Sequence, residues 1–289
     1  ATFGGTLGVM GNLELSAQND VTLQRGVTVV GTARIAAHQG AVVNNEDLIV
    51  GGNSNVTAGT DAALNGSVTV MGDSIVNAGR ALSTGGALRV AGDANLTGRS
   101  LLLTGQTEIG GAGTLRTTQG NVNLQGDITA TTLSLTSAMN ISINGDLGVV
   151  SNARILADGN LTNGGSAIVG GDLLQQANGD LINGGVTLAF GHLSARAGRD
   201  AIFSGTLAAG GNLDLFAQRH ANLSGAVQVA GNAALRAQEG DLATGGSISV
   251  ARDTNLSAGN ALSTGGALEA GGNIDVRAGA LATLGGATS

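Results

Sequence analysis

The sequence predicts an all-β fold: a right-handed parallel β-helix of about 20 residues per coil, with three short strands in each coil. Three observations lead there. Residues 78–90, AGRALSTGGALRV, return almost unchanged as residues 258–270, AGNALSTGGALEA, 180 positions or nine periods of 20 later. Short runs alternate strictly between apolar and polar residues. Glycine-rich turns separate these runs, and the 289 residues include 51 glycines. A solenoid fits such a period because each repeat buries its apolar face only against its neighbours. A helical fold does not fit. No segment sustains apolar residues at i, i+3 and i+4, and each interior glycine would cost a helix about 1 kcal/mol.

Coils start at Gly11, Gly31, Gly52, Gly72, Gly92, Gly113, Thr131, Ser151, Gly171, Gly191, Gly211, Gly231, Arg252 and Gly272, and the thirteen intervals average 20 residues. The second position is usually Asn or Asp, as in Asn12, Asn53, Asp73, Asp93, Asn152, Asp172, Asn212, Asn232, Asp253 and Asn273. Gly-Asx is turn chemistry, since both residues tolerate positive φ and the Asx side chain bonds nearby backbone. A strand with one buried face follows, as in Leu13-Glu14-Leu15-Ser16-Ala17, Ala33-Arg34-Ile35-Ala36-Ala37, Leu213-Asp214-Leu215-Phe216-Ala217 and Ile274-Asp275-Val276-Arg277-Ala278. Period 2 assigns Leu13, Leu15, Ile35, Leu213, Leu215, Leu235, Ile274 and Val276 to the interior, and Glu14, Arg34, Asp214, Arg236 and Arg277 to solvent.

The seventh position is a column of alanine from Ala17 to Ala278, which reads as a tight corner. A second strand follows, as in Ala81-Leu82-Ser83. A Gly-Gly or Asn-Gly turn comes next, as at Gly85-Gly86 and Gly245-Gly246. A third strand such as Val27-Thr28-Val29 or Val227-Gln228-Val229 closes the coil. Fourteen coils spaced about 4.8 Å apart would make a rod of roughly 65 Å. All of 1–289 reads as one repeat domain, and Ala1 falls in mid-coil, so we expect a piece of a longer shaft with strand edges open to end-to-end self-association. Residues 98–146 are irregular. The coil at Gly113 has 18 residues, Gln119 stands in the alanine column, and Thr131-Thr132 replaces Gly-Asn.

The recurring unit, as in Ala209-Gly210-Gly211-Asn212-Leu213-Asp214-Leu215, resembles the filamentous haemagglutinin repeat from about Gly11 to the end of the chain. Proteins of that family are large Gram-negative exoproteins, among them adhesins and contact-dependent growth inhibition toxins. The resemblance implies a right-handed β-helical shaft at the cell surface, exported through an outer-membrane two-partner secretion transporter. It also implies a role in adhesion and virulence or in presenting a toxin domain, with a receptor or glycan on a host or neighbouring cell as partner. The family's secretion domain carries Asn-Pro motifs. This chain contains no Pro.

Composition narrows the chemistry. There is no Lys, Cys, Trp or Tyr, all 13 basic residues are Arg, and the net charge is −7. Nucleic acid is excluded as a partner because it selects clustered Lys and Arg. No apolar run reaches the roughly 18 residues of a membrane-spanning helix, so no membrane insertion is expected. Walker A needs a Lys, and no nucleophile elbow, zincin or dinucleotide-binding motif occurs. We therefore expect no catalytic residue, cofactor or metal. A polysaccharide-degrading β-helix, the enzymatic alternative, would need long loops, Lys and stacking aromatics. Among titratable residues, His192 stands in the Asx column, His220 follows Arg219 in a turn, His38 is isolated, and Asp73 and Asp93 share a column on adjacent coils. Turn chemistry accounts for each of them. Arg196, Arg236 and Arg277 recur at the outward sixth position. Phe216, the one aromatic there, is the single candidate for surface binding.

Overall fold

The structure is a computed structural model that describes residues 1–287, so the expected end of the repeat domain at Ser289 lies outside the described residues. Every helix or strand within them is a β-strand, and all strand pairs are parallel and join neighbouring coils. The chain is an all-β parallel β-helix with three strands per coil and about 20 residues between stacked positions. Contacts divide it into two compact units, the first Ala1–Met139 and the second from Asn140 onward.

In the first unit the long strands stack from Leu13–Ala17 through Ala33–Ala37, Ser54–Ala58 and Ser74–Ala78 to Ala94–Gly98. In the second unit the corresponding stack runs from Ala153–Ala157 to Ile274–Ala278. Like meets like along both. Leu213 faces Ala233, Leu215 faces Leu235, and Ala217 faces Ala237. This register follows from the period of 20, because an offset of one residue would turn every apolar side chain out to water.

The interior is built from Leu, Val, Ile and Ala, with Phe203 the largest fully buried side chain. Ile35, Leu213, Leu215 and Leu235 are buried as expected, and Glu14, Arg34, Asp214, Arg236 and Arg277 are exposed. Leu15, Ile274 and Val276 are only half-buried, which corrects the sequence reading. Each lies in an outermost coil, where a neighbour covers one side only. Gln175 and Asn183 replace interior aliphatics and pair with each other, Asn183 Nδ2 donating at 2.8 Å and Gln175 Nε2 donating back at 3.3 Å.

Two further expectations are corrected. No described residue takes a left-handed φ, so conformational freedom is not what places glycine beside Asx. Space is the reason. A Cβ on Gly231 would lie 2.3 Å from Asn212 Oδ1 and 2.6 Å from the Gly211 carbonyl oxygen on the coil below. The irregular coil also starts two residues earlier than its Gly113 suggested. Gly111 N–H donates to Gly92 O at 2.9 Å, and Gly98 pairs with Thr117, so Thr117 and not Gln119 occupies the alanine column. The shortened coil is the one before it, and its missing residue comes from the turn after Gly98. Ala112 and Thr132 stand where Asx stands elsewhere, and there the third strand and the next long strand fuse into Thr107–Thr117 and Ile128–Ser137.

Candidate functional site

The Asx column is a ladder of hydrogen bonds. In the first unit Asn53 Oδ1 accepts the N–H of Asp73 at 2.9 Å, Asp73 Oδ1 that of Asp93 at 2.9 Å, and Asp93 Oδ1 that of Ala112 at 2.7 Å. In the second unit the ladder runs without a break from Asn152 through Asp172, His192, Asn212, Asn232 and Asp253 to the N–H of Asn273, at 2.7–3.1 Å. Each side chain satisfies a turn N–H of the next coil that no strand would pair. Asp73 and Asp93 each have an oxygen committed in this way. His192 takes its place through Nδ1, which accepts from Asn212 N–H at 2.9 Å, so its ring proton sits on Nε2.

A second ladder escaped the sequence reading. It lies at the tenth position, just before the second strand. In the second unit it links Asn140, Asn160, Asp180, Asp200, His220 and Asp241, each accepting the N–H of its successor, and ends on Ala261. His220 therefore does more than sit in solvent beside Arg219: its Nδ1 accepts Asp241 N–H at 3.1 Å. The signal was present as a recurrence of Asn, Asp and His every 20 residues, but no glycine precedes it to mark a turn.

Arginines reinforce this edge. Arg199 bonds Asp180 at 2.5 Å and Asn160 at 3.2 Å, and Arg219 bonds both oxygens of Asp200, at 3.2 and 2.5 Å. The Arg219 guanidinium, with the His220 N–H, holds the Asp200 carboxyl below the usual range against the opposing effect of burial. Asp241 is lowered first by Ala261 N–H and then by the Asn260 amide. His38 makes its contact elsewhere, Nε2 to Ser16 Oγ at 3.0 Å. Among the described residues, no three His, Cys, Asp or Glu side chains gather as metal ligands would.

Phe216 is half-buried, where the sequence suggested free exposure. It lies in register between Arg196 and Arg236 on the adjacent strands, and the Arg236 guanidinium carbon sits 6.0 Å from the ring centroid. Arg196 is turned to Asp214 at 3.3 Å and Arg277 to Asp275 at 2.8 Å. These residues, with Asn255 and Ser257, line an open depression of about 570 Å³. The sequence reading passed over Phe190, which stands 62% exposed at the corner after a third strand. No strict alternation marks that position, so nothing in the local pattern separated it from an interior aromatic such as Phe203.

A coil of fixed length, stacked in register and sealed at its turns by side-chain ladders, defines a β-helix repeat protein. No protein-family model, curated protein or solved structure matches the chain.

Proposed function

We propose that the chain is a non-catalytic shaft segment of a large secreted, surface-exposed bacterial adhesin of the filamentous haemagglutinin type, exported by a two-partner system, which carries binding or toxin domains away from the cell. The observation behind this reading is the uniformity of the coils. From Asn152 to Asn273 the Asx ladder repeats at every coil, and the three strands recur without an intervening long loop. An enzymatic β-helix builds its groove from such loops. A spacer requires only that each coil dock on the last.

The test is to remove one coil. Deleting residues 211–230 brings Gly231 onto Gly191 in place of Gly211, whose N–H and carbonyl it reproduces. The variant should fold, lose about 4.8 Å of stack, and leave secretion and adhesion or toxin delivery by the parent protein unchanged. Deleting residues 211–220 should abolish folding, because it sets a second strand against a long strand. A full-coil variant that folds but is inactive would overturn the spacer reading.

A second reading is that the segment itself contacts a glycan. It draws on the half-buried Phe216 beneath Arg236, with Asp214 and Asn255 at the same depression. Binding on a glycan array that Phe216→Ala abolishes would favour contact over spacing.

A further inference from the structure

The third strands of the second unit, together with the corners that flank them, carry no charged residue through five successive coils: 147–151, 164–171, 184–191, 204–211 and 224–231. The outward side chains there are apolar. Val150 is 74% exposed, Phe190 62%, Ile168 47% and Val186 41%, and Leu188 and Ala208 are partly exposed. An exposed apolar area with no charge within it is a common mark of an interface.

The corner column also has a pattern. Val149, Val169, Ala189 and Ala209 stack in register, so the residues that follow them, Val150, Gly170, Phe190 and Gly210, form one column. Large side chains alternate with glycines, two coils or about 9.6 Å apart. The gaps are fixed. A Cβ on Gly170 would lie 2.0 Å from Val150 O, and one on Gly210 2.1 Å from Phe190 O.

We infer that this face pairs laterally with the same face of a second copy of the chain, the two running antiparallel. A two-fold axis midway between the Gly170 and Phe190 coils sets Phe190 against Gly170 of the second copy and Val150 against its Gly210. The same operation sets Gly170 against Phe190 and Gly210 against Val150. Every protruding side chain then meets a glycine, as a two-fold interface requires. Ile168 falls opposite Leu188 of the second copy. An uncharged surface offers nothing to a charged partner, whereas its own copy matches it in both shape and charge. The face measures roughly 20 by 20 Å, about half of the ~800 Å² that each partner contributes to a stable interface. The dimer is accordingly weak, with a dissociation constant on the order of 10⁻⁴ M.

Sedimentation equilibrium of the whole chain from 10 μM to 1 mM tests this. A concentration-dependent dimer is expected. Phe190→Asp and Val150→Asp should each weaken it at least tenfold while the circular dichroism and melting temperature stay unchanged, since both residues are exposed. Phe216→Asp, on the face formed by the long strands, should leave it intact. Oxidation of mixed Ile168→Cys and Leu188→Cys chains should give the mixed disulfide several-fold faster than either chain links to itself. A monomer at 1 mM, or a dimer indifferent to Phe190→Asp and therefore joined elsewhere, would overturn the inference. So would a monomer that instead sediments with phosphatidylcholine vesicles in a Phe190-dependent way.

Discussion

At the scale of single residues, the chain stabilises its turns with side-chain acceptors, and the protonation of those acceptors follows from their partners. Asp200 and Asp241 are held below the ordinary carboxylate range in the folded state. A depressed folded value contributes stability that is present above the unfolded value of about 3.9 and is lost as the pH falls through the folded one. Urea unfolding should therefore show a midpoint that drops below about pH 4. Asp200→Asn and Asp241→Asn keep an oxygen for the backbone N–H, so both should flatten that acid limb. Asp200→Ala leaves His220 N–H and Arg219 without their acceptor and should cost about 1 kcal/mol at pH 7. An acid limb unchanged in both Asn variants would show that these carboxylates are not its source.

At the scale of the coil, glycine has two different roles, and substitution separates them. Gly231 has no room for a Cβ because Asn212 Oδ1 and Gly211 O already occupy the space. Gly231→Ala should destabilise by about 1–3 kcal/mol, as overpacking does. Gly164 has only Ile143 O within reach, at 3.7 Å, and no left-handed φ to maintain. Gly164→Ala should be neutral or stabilise by about 0.4–1 kcal/mol, since it restricts the unfolded chain. Inside the coil, Leu215 is fully buried and stacked on Leu235, so Leu215→Ala should cost about 2–5 kcal/mol. Denaturant midpoints at constant m-value measure all three. Equal effects from Gly231→Ala and Gly164→Ala would refute the argument from space.

At the scale of the whole molecule, stability in a solenoid is approximately a sum over coils and their nearest-neighbour contacts. Leu215 and Leu235 have a coil on each side, whereas Leu15, Ile274 and Val276 are half-buried in outermost coils. Amide exchange should be slowest along Leu213–Ala217 and Ala233–Ala237 and fastest along Leu13–Ala17 and Ile274–Ala278. Uniform protection across all four strands would mean that the coils do not open from the ends.

The sequence by itself determined the coil. A 20-residue period with strict alternation leaves one register in which Leu213, Leu215 and Leu235 all face inward, and the same periodicity placed Asp214 and Arg236 outward. It also marked the first Asx column, because a glycine precedes each member. Only the tertiary structure decided what those columns do. The second Asx ladder, the Nδ1 bonds of His192 and His220, and the steric need for Gly231 all depend on which atoms of one coil lie above those of the next, a distance of about 20 residues along the chain. The start at Gly111 instead of Gly113 has the same cause, since pairing between coils and not local composition sets where a coil begins. Phe216 and Phe190 show the limit most plainly. Their local sequences are alike in being apolar, yet one is covered by an arginine from the neighbouring strand and the other stands free at a corner between two glycines. That difference comes from packing between coils, which no window of one coil contains.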